Sequence, residues 1–232
     1  MSITIRTGTN EDYAAVVALR NRTTPELAIS VEKWQADDAA RPAHCVFGLL
    51  CAERDGELVG YARYAQYADL YQPGKFFVNV CVAPEAQRDG LATRLLQALE
   101  AALEPLNPQI LRATVREDRK GAMIWAMREG FKEISSRYTS ELKVKDFDCR
   151  AYDSLIEQLA AAGIELRPVS DLRADPRHIP KLHDLFTRVD ADVPMADTTT
   201  ALSRDQFIKQ VLEAPYFNAD GSFVAVDVRE YI

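Results

Sequence analysis

Residues 80–104 read VCVAPEAQRDGLATRLLQALEAALE. The run opens as a strand, Val80-Cys81-Val82, which closes at Ala83-Pro84. It passes through a short stretch holding one glycine, Gly90, then continues as a helix whose Leu91, Leu95, Leu96, Leu99, Ala102 and Leu103 share one face. Strand, glycine turn and helix in that order put a helix N-terminus at the end of a strand. The first four N–H groups of a helix have no partner within it, and the helix dipole adds partial positive charge there. Such an end is suited to a phosphate. Gly90 lets the backbone turn where a side chain would obstruct, Ala92 keeps the next exposed position small, and Arg88 can add an ionic contact. The segment has neither the GxxxxGK[ST] lysine loop nor G-x-G-x-x-G, so neither a P-loop ATPase nor a Rossmann enzyme fits.

Working outward, Ile3-Thr4-Ile5-Arg6 alternates as a strand. TNEDYAAVVALRNR follows as a helix, with Thr9 or Asn10 as N-cap and acids in its first turn. Residues 29–40 read as a second helix. HCVFGLLCAERDGELVGYARYAQY holds two apolar runs joined by Asp55-Gly56, a tight hairpin. A strand from Phe76 to Val82 leads into the helix described above, which Pro105 and Pro108 end. QILRATVRE then reads as a strand, RKGAMIWAMREGF as a helix closed by Gly130, and RYTSELKV as a last strand. These elements predict an α/β fold with a mixed, mostly antiparallel sheet flanked by helices over residues 1–145.

Residues 146–163 read as a connecting helix ended by Gly163. From Ile164 the opening logic returns: IELRPVSDLRADPRHIPKLHDLFTRV repeats the order of ITIRTGTNEDYAAVVALRNR, with Ile164 and Arg167 standing where Ile3 and Arg6 stand. A helix through Phe186, a second helix SRDQFIKQVLEA and a strand SFVAVDV follow. The chain ends at Ile232 with no copy of the 80–104 stretch, so residues 164–232 are expected to form a partial second α/β unit. SFVAVDV would then present an unpaired edge, which predicts tight docking or a homodimer through this unit.

The 232 residues, 47% of them hydrophobic, suffice for a real core, and no apolar run or signal-peptide pattern suggests a membrane or an export route. A cytoplasmic protein is expected. The net charge of -7, with no basic block, argues against nucleic acid and leaves a small molecule or a protein as partner. Cys45, Cys51, Cys81 and Cys149 form no CxxC pair, and three lie in apolar runs; they are expected reduced and buried. His178 and His183 are five apart rather than four, with no cysteine cluster, and His44 stands alone. No metal site is expected.

The run Val82-Ala83-Pro84-Glu85-Ala86-Gln87-Arg88-Asp89-Gly90-Leu91-Ala92 resembles the acyl-CoA signature of the GNAT (Gcn5-related N-acetyltransferase) superfamily. Its [QR]-x-x-G-x-[GA] core corresponds to Gln87, Gly90 and Ala92. The likeness extends in element order from residue 3 to about 142, including the REGF turn at Gly130-Phe131. It implies the acyl-CoA N-acyltransferase fold and acetyl-CoA as co-substrate. The resemblance further implies that the strand ending at Val82 splays from its neighbour. Backbone at Val80, Cys81 and Val82 then pairs with the pantetheine arm, and amides of Arg88, Asp89, Gly90, Leu91, Ala92 and Thr93 hold the pyrophosphate behind Gln87. An N–H near Val82 would stabilise the developing oxyanion while an amine acceptor, small-molecule or protein, attacks the thioester.

The chemistry is less marked than the binding. Where the family often has an acid tyrosine, four residues before the glycine of its G-F turn, this chain has Ala126; an asparagine position carries Arg119; and the strand carboxylate position falls near Phe76, close to Asn79. Trp125 is expected to pack. Glu117 and Asp118 are candidate bases, and Tyr138 is a candidate thiol acid. Tyr61 and Tyr67 are expected on one strand face with Tyr64 on the other, and Cys81 is a remote candidate nucleophile lacking a histidine. The acid and base stay unassigned. The reading is an N-acetyltransferase; its rival is a non-catalytic acyl-CoA-binding sensor or scaffold.

Overall fold

In the computed structural model, which describes residues 2–138, 140–193, 201–227 and 230–231, the chain folds as two units, residues 1–133 and 134–232. The first holds β1 (Ile3–Thr7), α1 (Tyr13–Thr23), α2 (Val31–Ala39), β2 (Phe47–Arg54), β3 (Glu57–Ala65), β4 (Lys75–Val82), α3 (Leu91–Leu103), β5 (Ile110–Arg112) and α4 (Lys120–Arg128). The sheet runs β1-β2-β3-β4-β5. Each neighbouring pair is antiparallel except β4 with β5, which is parallel.

Local chemistry accounts for these boundaries. Thr9 donates its backbone N–H and its hydroxyl to the Asp12 carboxylate, ordering the turn that leads into α1. Asp55 and Gly56 both take positive φ, 54° and 85°, the pair a two-residue hairpin turn requires. Trp34 of α2 packs edge-on against Tyr13 of α1 and Tyr61 of β3, so α1 and α2 cover the sheet face that carries Tyr61. The opposite face lies under α3, whose Leu91, Leu95, Leu99 and Leu103 are each 1% exposed or less. A Cβ on Gly60 would meet Leu95 Cδ1 at 3.1 Å, so α3 approaches β3 closely there. Burying four leucines stabilises this packing by roughly 6–12 kcal/mol before ordering entropy.

Three expectations for residues 1–145 need correcting. The strand read in QILRATVRE is limited to Ile110–Arg112, and no described residue of RYTSELKV, whose Thr139 is outside the described residues, belongs to a strand. Its alternating apolar side chains have no sheet face to meet: Tyr138, Leu142 and Val144 are 84%, 66% and 81% exposed. Tyr67 lies beyond β3, which ends at Ala65, and packs its ring against Phe77 instead of continuing the strand.

The second unit contains α5 (Asp153–Ala161), β6 (Ile164–Pro168), α6 (His178–Asp192), α7 (Arg204–Phe207, continued by a π-helical turn through Leu212), β7 (Phe223–Asp227) and β8 (Glu230–Tyr231). Gly163, at φ 78°, ends α5 as expected. The helix expected through Phe186 runs on to Asp192. A small core gathers Val169, Leu172, Leu182, Phe207 and Val224. The strand read in SFVAVDV, whose Val228 is outside the described residues, is central: β7 pairs with β6 on one side and β8 on the other. The unpaired edge is therefore not on β7, because β8 covers it.

Candidate active site

β4 pairs with β3 from Phe77 to Val82, but it pairs with β5 only at Lys75, Phe76 and Phe77. Beyond Phe77 the two parallel strands part, and among the described residues no strand lies beside the β5-facing backbone of Val78–Val82. This is the splay expected at Val80, Cys81 and Val82. An extended chain entering there would find strand backbone on one wall.

The turn at the end of β4 follows. The Ala83 N–H donates to Val59 O at 2.9 Å, tying the exit of β4 back to β3. Gln87 uses its side chain internally: Nε2 donates to Val82 O at 3.0 Å and so closes the loop on the strand it leaves. Arg88 and Gly90 both take left-handed backbone, φ 69° and 75°, on either side of Asp89, a geometry that turns successive N–H groups toward one concavity. A Cβ on Gly90 would meet nothing within 4 Å. No side chain caps α3, and the first N–H of this end to reach a carbonyl is Arg94, on Gly90 O at 3.1 Å. Leu91 is buried, Ala92 and Thr93 are half-buried, and Arg88, Asp89 and Gly90 are exposed. The donors at this terminus and the open space over Gly90 fit a pyrophosphate. Arg54 approaches Asp89 at 3.8 Å, which partly offsets the one acid inside the turn.

Thr93 has a further part that the sequence did not reveal. Its hydroxyl donates to Glu129 Oε1 and accepts the Trp125 indole N–H at 3.1 Å, joining the start of α3 to α4. Trp125 thus packs, as expected, but on a hydrogen bond. Arg119 donates to Thr23 O at 3.1 Å, and Arg116 pairs with Glu26 at 2.9 Å, so the β5–α4 loop is fastened to the end of α1.

On the α1/α2 face, period-two alternation sets Lys75, Phe77, Asn79 and Cys81 of β4 beside Ala65, Arg63 and Tyr61 of β3. Tyr61 is 1% exposed, and burial lifts its phenol well above the ordinary range. Cys81 is half-buried rather than buried. Thr23 Oγ1 lies 3.2 Å from its sulfur, and burial pushes the thiol up against the opposing pull of Thr23 and Tyr61. A thiol held protonated at neutral pH is not prepared as a nucleophile. All four cysteines are free; Cys45 and Cys51 are buried and Cys149 is exposed.

The other candidates are placed as follows. Glu117 and Asp118 are exposed, and Arg116 holds Asp118 at 2.8 Å, keeping its carboxyl below the usual range. Ala126 is buried. Tyr64 packs edge-on against Phe76. Tyr138 belongs to the second unit. His178 Nδ1 meets Asp175 O and His183 Nε2 meets Leu202 O, each at 2.7 Å, while the His44 ring packs on Tyr71. Among the described residues, no group of three His, Cys, Asp or Glu side chains could hold a metal, and no helix is long and apolar enough to cross a membrane.

The chain is similar to known proteins in sequence and in fold. The model of the acetyltransferase (GNAT) family matches residues 13–131. A curated relative, phosphinothricin N-acetyltransferase of Alcaligenes faecalis, is 32% identical over 112 residues, 44% of this chain and 55% of the relative. The chain therefore spans about half the length of that relative. Among solved structures, the aminoglycoside N-acetyltransferase AAC(6')-Iy in complex with CoA aligns at TM-score 0.49 and 17% identity, over 61% of this chain and 95% of its own. A ribosomal-protein-alanine N-acetyltransferase from Brucella melitensis aligns at 0.48 and 24%, over 57% of this chain and 86% of its own.

Proposed function

Because this chain belongs to the acetyltransferase (GNAT) family, we propose that it moves the acetyl group of acetyl-CoA to an amine by direct attack in a ternary complex. One observation carries the reading: β4 leaves β5 after Phe77 and ends in a turn whose left-handed Arg88 and Gly90 open the uncapped N-terminus of α3. Pantetheine would lie along Val80–Val82, and the pyrophosphate would lie on the amides of Arg88–Thr93. Gln87, whose side chain holds the loop through Val82 O, would border the cofactor at the exposed start of this turn.

The amine would attack the thioester carbonyl, forming a C–N bond as the C–S bond breaks and CoA departs as the thiolate. The ammonium proton must leave before attack, and the thiolate must gain one. Cys81 and Tyr61, both with raised pKa, stay protonated near this point, and solvent reaches Asn79 on the same face. Positioning then supplies most of the acceleration, with water as proton carrier. The second reading, a non-catalytic acyl-CoA sensor in the cytoplasm, is favoured by Ala126 at the usual acid position and by the Arg116 clamp on Asp118.

We also read residues 164–232 as a partial repeat of the first unit, because β6 and β7 pair in the register of β1 and β2. A homodimer through this unit would use the outer edge of β6, and sedimentation at two concentrations reads it.

The deciding experiment incubates the purified chain with acetyl-CoA and a mixed amine pool and follows free thiol. Release above the acceptor-free control is expected. Calorimetric CoA binding without turnover on a wide pool would transfer the case to the sensor. If CoA leaves the melting temperature unchanged and Gly90→Glu has no effect on that result, both readings fall.

A further inference from the structure

The α1/α2 face of the first unit holds an alternating stack of cations and aromatic rings. The Arg20 guanidinium stands 5.7 Å from the Trp34 ring centroid, and Arg63 stands 5.2 Å from the same ring. Arg63 and Arg41 both lie over Phe47, at 6.0 and 5.4 Å, and Arg41 over Tyr67 at 5.0 Å. One carboxylate serves this group. Asp38, 7% exposed, accepts from Arg41 at 2.8 Å, from Arg63 and from the Tyr13 hydroxyl at 2.6 Å. Among the described residues, Arg20 donates to the neutral acceptors Leu27 O and Asn21 Oδ1. Three guanidinium groups against one carboxylate leave surplus positive charge, in a chain whose net charge is -7.

That surplus faces an opening. Asn79 sits in mid-strand on this face, yet it is exposed, and its side-chain amide has no partner among the described residues. Arg63 stands directly opposite it in the ladder. Among the described residues, Asp38 is the one hydrogen-bond partner of the Arg63 guanidinium, whose side chain keeps 12% of its surface exposed, and no other N–H of Arg63 or Arg20 is both fully buried and unpaired. The Tyr61 phenol feels both Arg20 and Arg63, and the Cys81 thiol feels Arg20, which sets the two cations about the floor formed by Tyr61 and Cys81. Arg63 and Asn79 form one row across the sheet; Tyr61 and Cys81 form the next on the same face, nearer Val82. Same-face rows are about 7 Å apart.

Resting on the acetyl-transfer reading, we propose that the acceptor is a small amine bearing a carboxylate or similar oxyanion within about 7 Å of its nitrogen, one same-face strand repeat. Arg63, aided by Arg20, binds the oxyanion. The amine then lies over the Cys81 row, beside the backbone of Val80–Val82. Charge-assisted, forked hydrogen bonds from a partly desolvated arginine favour such an acceptor about 10- to 100-fold over its neutral analogue. The stack also fixes both guanidinium planes against rings, so little side-chain ordering is left for binding.

The test uses matched acceptors, each an amino acid and its carboxamide, assayed by thiol release from acetyl-CoA. The amide's amine is the less basic and so the more often deprotonated, which biases the assay against the proposal. The free acid is expected to have the higher kcat/KM by at least about tenfold. Arg63→Gln should bring that ratio close to one mainly through KM, Arg63→Lys should restore part of it, and Arg20→Gln should reduce it by less. Should Arg63→Gln unfold the chain by stranding Asp38, the Asp38→Asn/Arg63→Gln pair makes the same measurement. Equal or better use of amides by the parent, or an unchanged ratio in the variants, overturns the subsite. If no amine is acetylated, calorimetry with the N-acetyl amino acid and its amide in the presence of CoA decides. Selective binding of the acid, lost in Arg63→Gln, upholds the subsite and removes the acetyl-transfer reading; binding of neither removes both.

Discussion

The β1-β2-β3 and β6-β7-β8 ladders share a register and differ in nearly everything that packs against it. In the first unit Ile3 pairs with Arg54, and Arg54 in turn pairs with Glu57; in the second, Ile164 pairs with Asp227, and Asp227 with Glu230. In both, the first residue of the opening strand faces the last of the next, which faces a residue three positions on. Around the first ladder, α3 seals one sheet face with Leu91, Leu95, Leu99 and Leu103 while Val16, Val17 and Trp34 close the other. Around the second, α5 meets β6 across a cleft of about 380 Å³ lined by Ile156, Leu159, Ile164 and Leu166. Hydrogen-bonded register is a local property that a few strand and turn residues specify, whereas a dense core needs a helix of matched apolar width on each face.

The largest effect that could break this contrast is core truncation. Leu95→Ala, at a side chain 0% exposed, is expected to cost the first unit about 3–5 kcal/mol. Leu182→Ala, at 6% exposed in the smaller core, should cost the second about 2 kcal/mol. Both tryptophans, Trp34 and Trp125, lie in the first unit, so their fluorescence in a urea titration follows that unit, while far-ultraviolet dichroism follows both. Equal losses would mean that the two cores are equally tight.

A second difference is functional. Among the described residues, the first unit alone continues from its ladder into a splayed strand and an uncapped helix, so its transition is the one expected to move with CoA. At 100 times Kd the ligand adds about 2.7 kcal/mol to the form that binds it. Gly90→Glu puts a carboxylate into the open space over the turn and should weaken CoA binding about 100-fold by calorimetry. Gly90→Ala meets no atom and pays only for its φ of 75°, about 1 kcal/mol of stability. If the alanine harms binding as much as the glutamate, the site depends on backbone shape rather than on charge.

This division also marks what could be read in advance. The 80–104 stretch was legible because every level agreed on it: β-branched strand, Pro84, Gly90 and a leucine face of helical period all demand one geometry. The Asp55-Gly56 hairpin was legible for the same reason. RYTSELKV misled because its alternation is that of a strand, but a strand also needs a neighbour, and period two cannot supply one. Tyr67 misled similarly, since alternation does not say where a strand stops. The arginine stack was invisible because Arg20, Arg41 and Arg63 come from a helix, a loop and a strand far apart in sequence and meet through Trp34, Phe47 and Asp38. One signal was present: Arg63, the single charge between Leu58 and Ala65 of its strand, must be paired or used.

A smaller effect tests the matching arginines of the two ladders. Arg6 donates to both Asp12 oxygens, at 2.8 and 2.7 Å, and to Glu53, whereas Arg167 pairs with Glu165 on its own strand with both side chains well exposed. The Arg6 hydrogen bonds hold the Asp12 carboxyl far below its usual range. A depressed carboxyl contributes stability above its unfolded pKa of about 3.9, and that contribution fades as pH falls from there through the folded value. With Arg6 38% exposed, screening reduces the contribution to about 1 kcal/mol. Arg6→Gln should cost that much at pH 7, and the gap from the parent should close below about pH 4. Loss of the exposed Glu165 pair itself should add little in Arg167→Gln, because screening leaves such surface pairs worth about 0–1 kcal/mol. A pH-independent loss in Arg6→Gln would assign its role to packing.

The smallest predicted effect concerns how helices start. α7 begins with a complete capping box: Ser203 Oγ accepts the Gln206 N–H at 3.3 Å, and Gln206 Oε1 accepts the Ser203 N–H at 2.9 Å. α3 begins at Gly90 without a side-chain cap, and Thr93 at its third position turns its hydroxyl away from the terminus to Glu129 and Trp125. Ser203→Ala should therefore cost the second unit about 0.5–1 kcal/mol by leaving terminal donors to water. Thr93→Val, nearly the same shape, should cost the first unit about 1 kcal/mol through the α3–α4 link, with a shift in Trp125 emission as its indole N–H loses its acceptor. The two losses are similar in size but differ in what CoA can mend. Ligand on the free N–H groups of α3 should raise the midpoint of Thr93→Val by as much as that of the parent, because the hydroxyl never served those donors; a smaller rise would mean that the Thr93 hydroxyl, and not its amide alone, touches the cofactor.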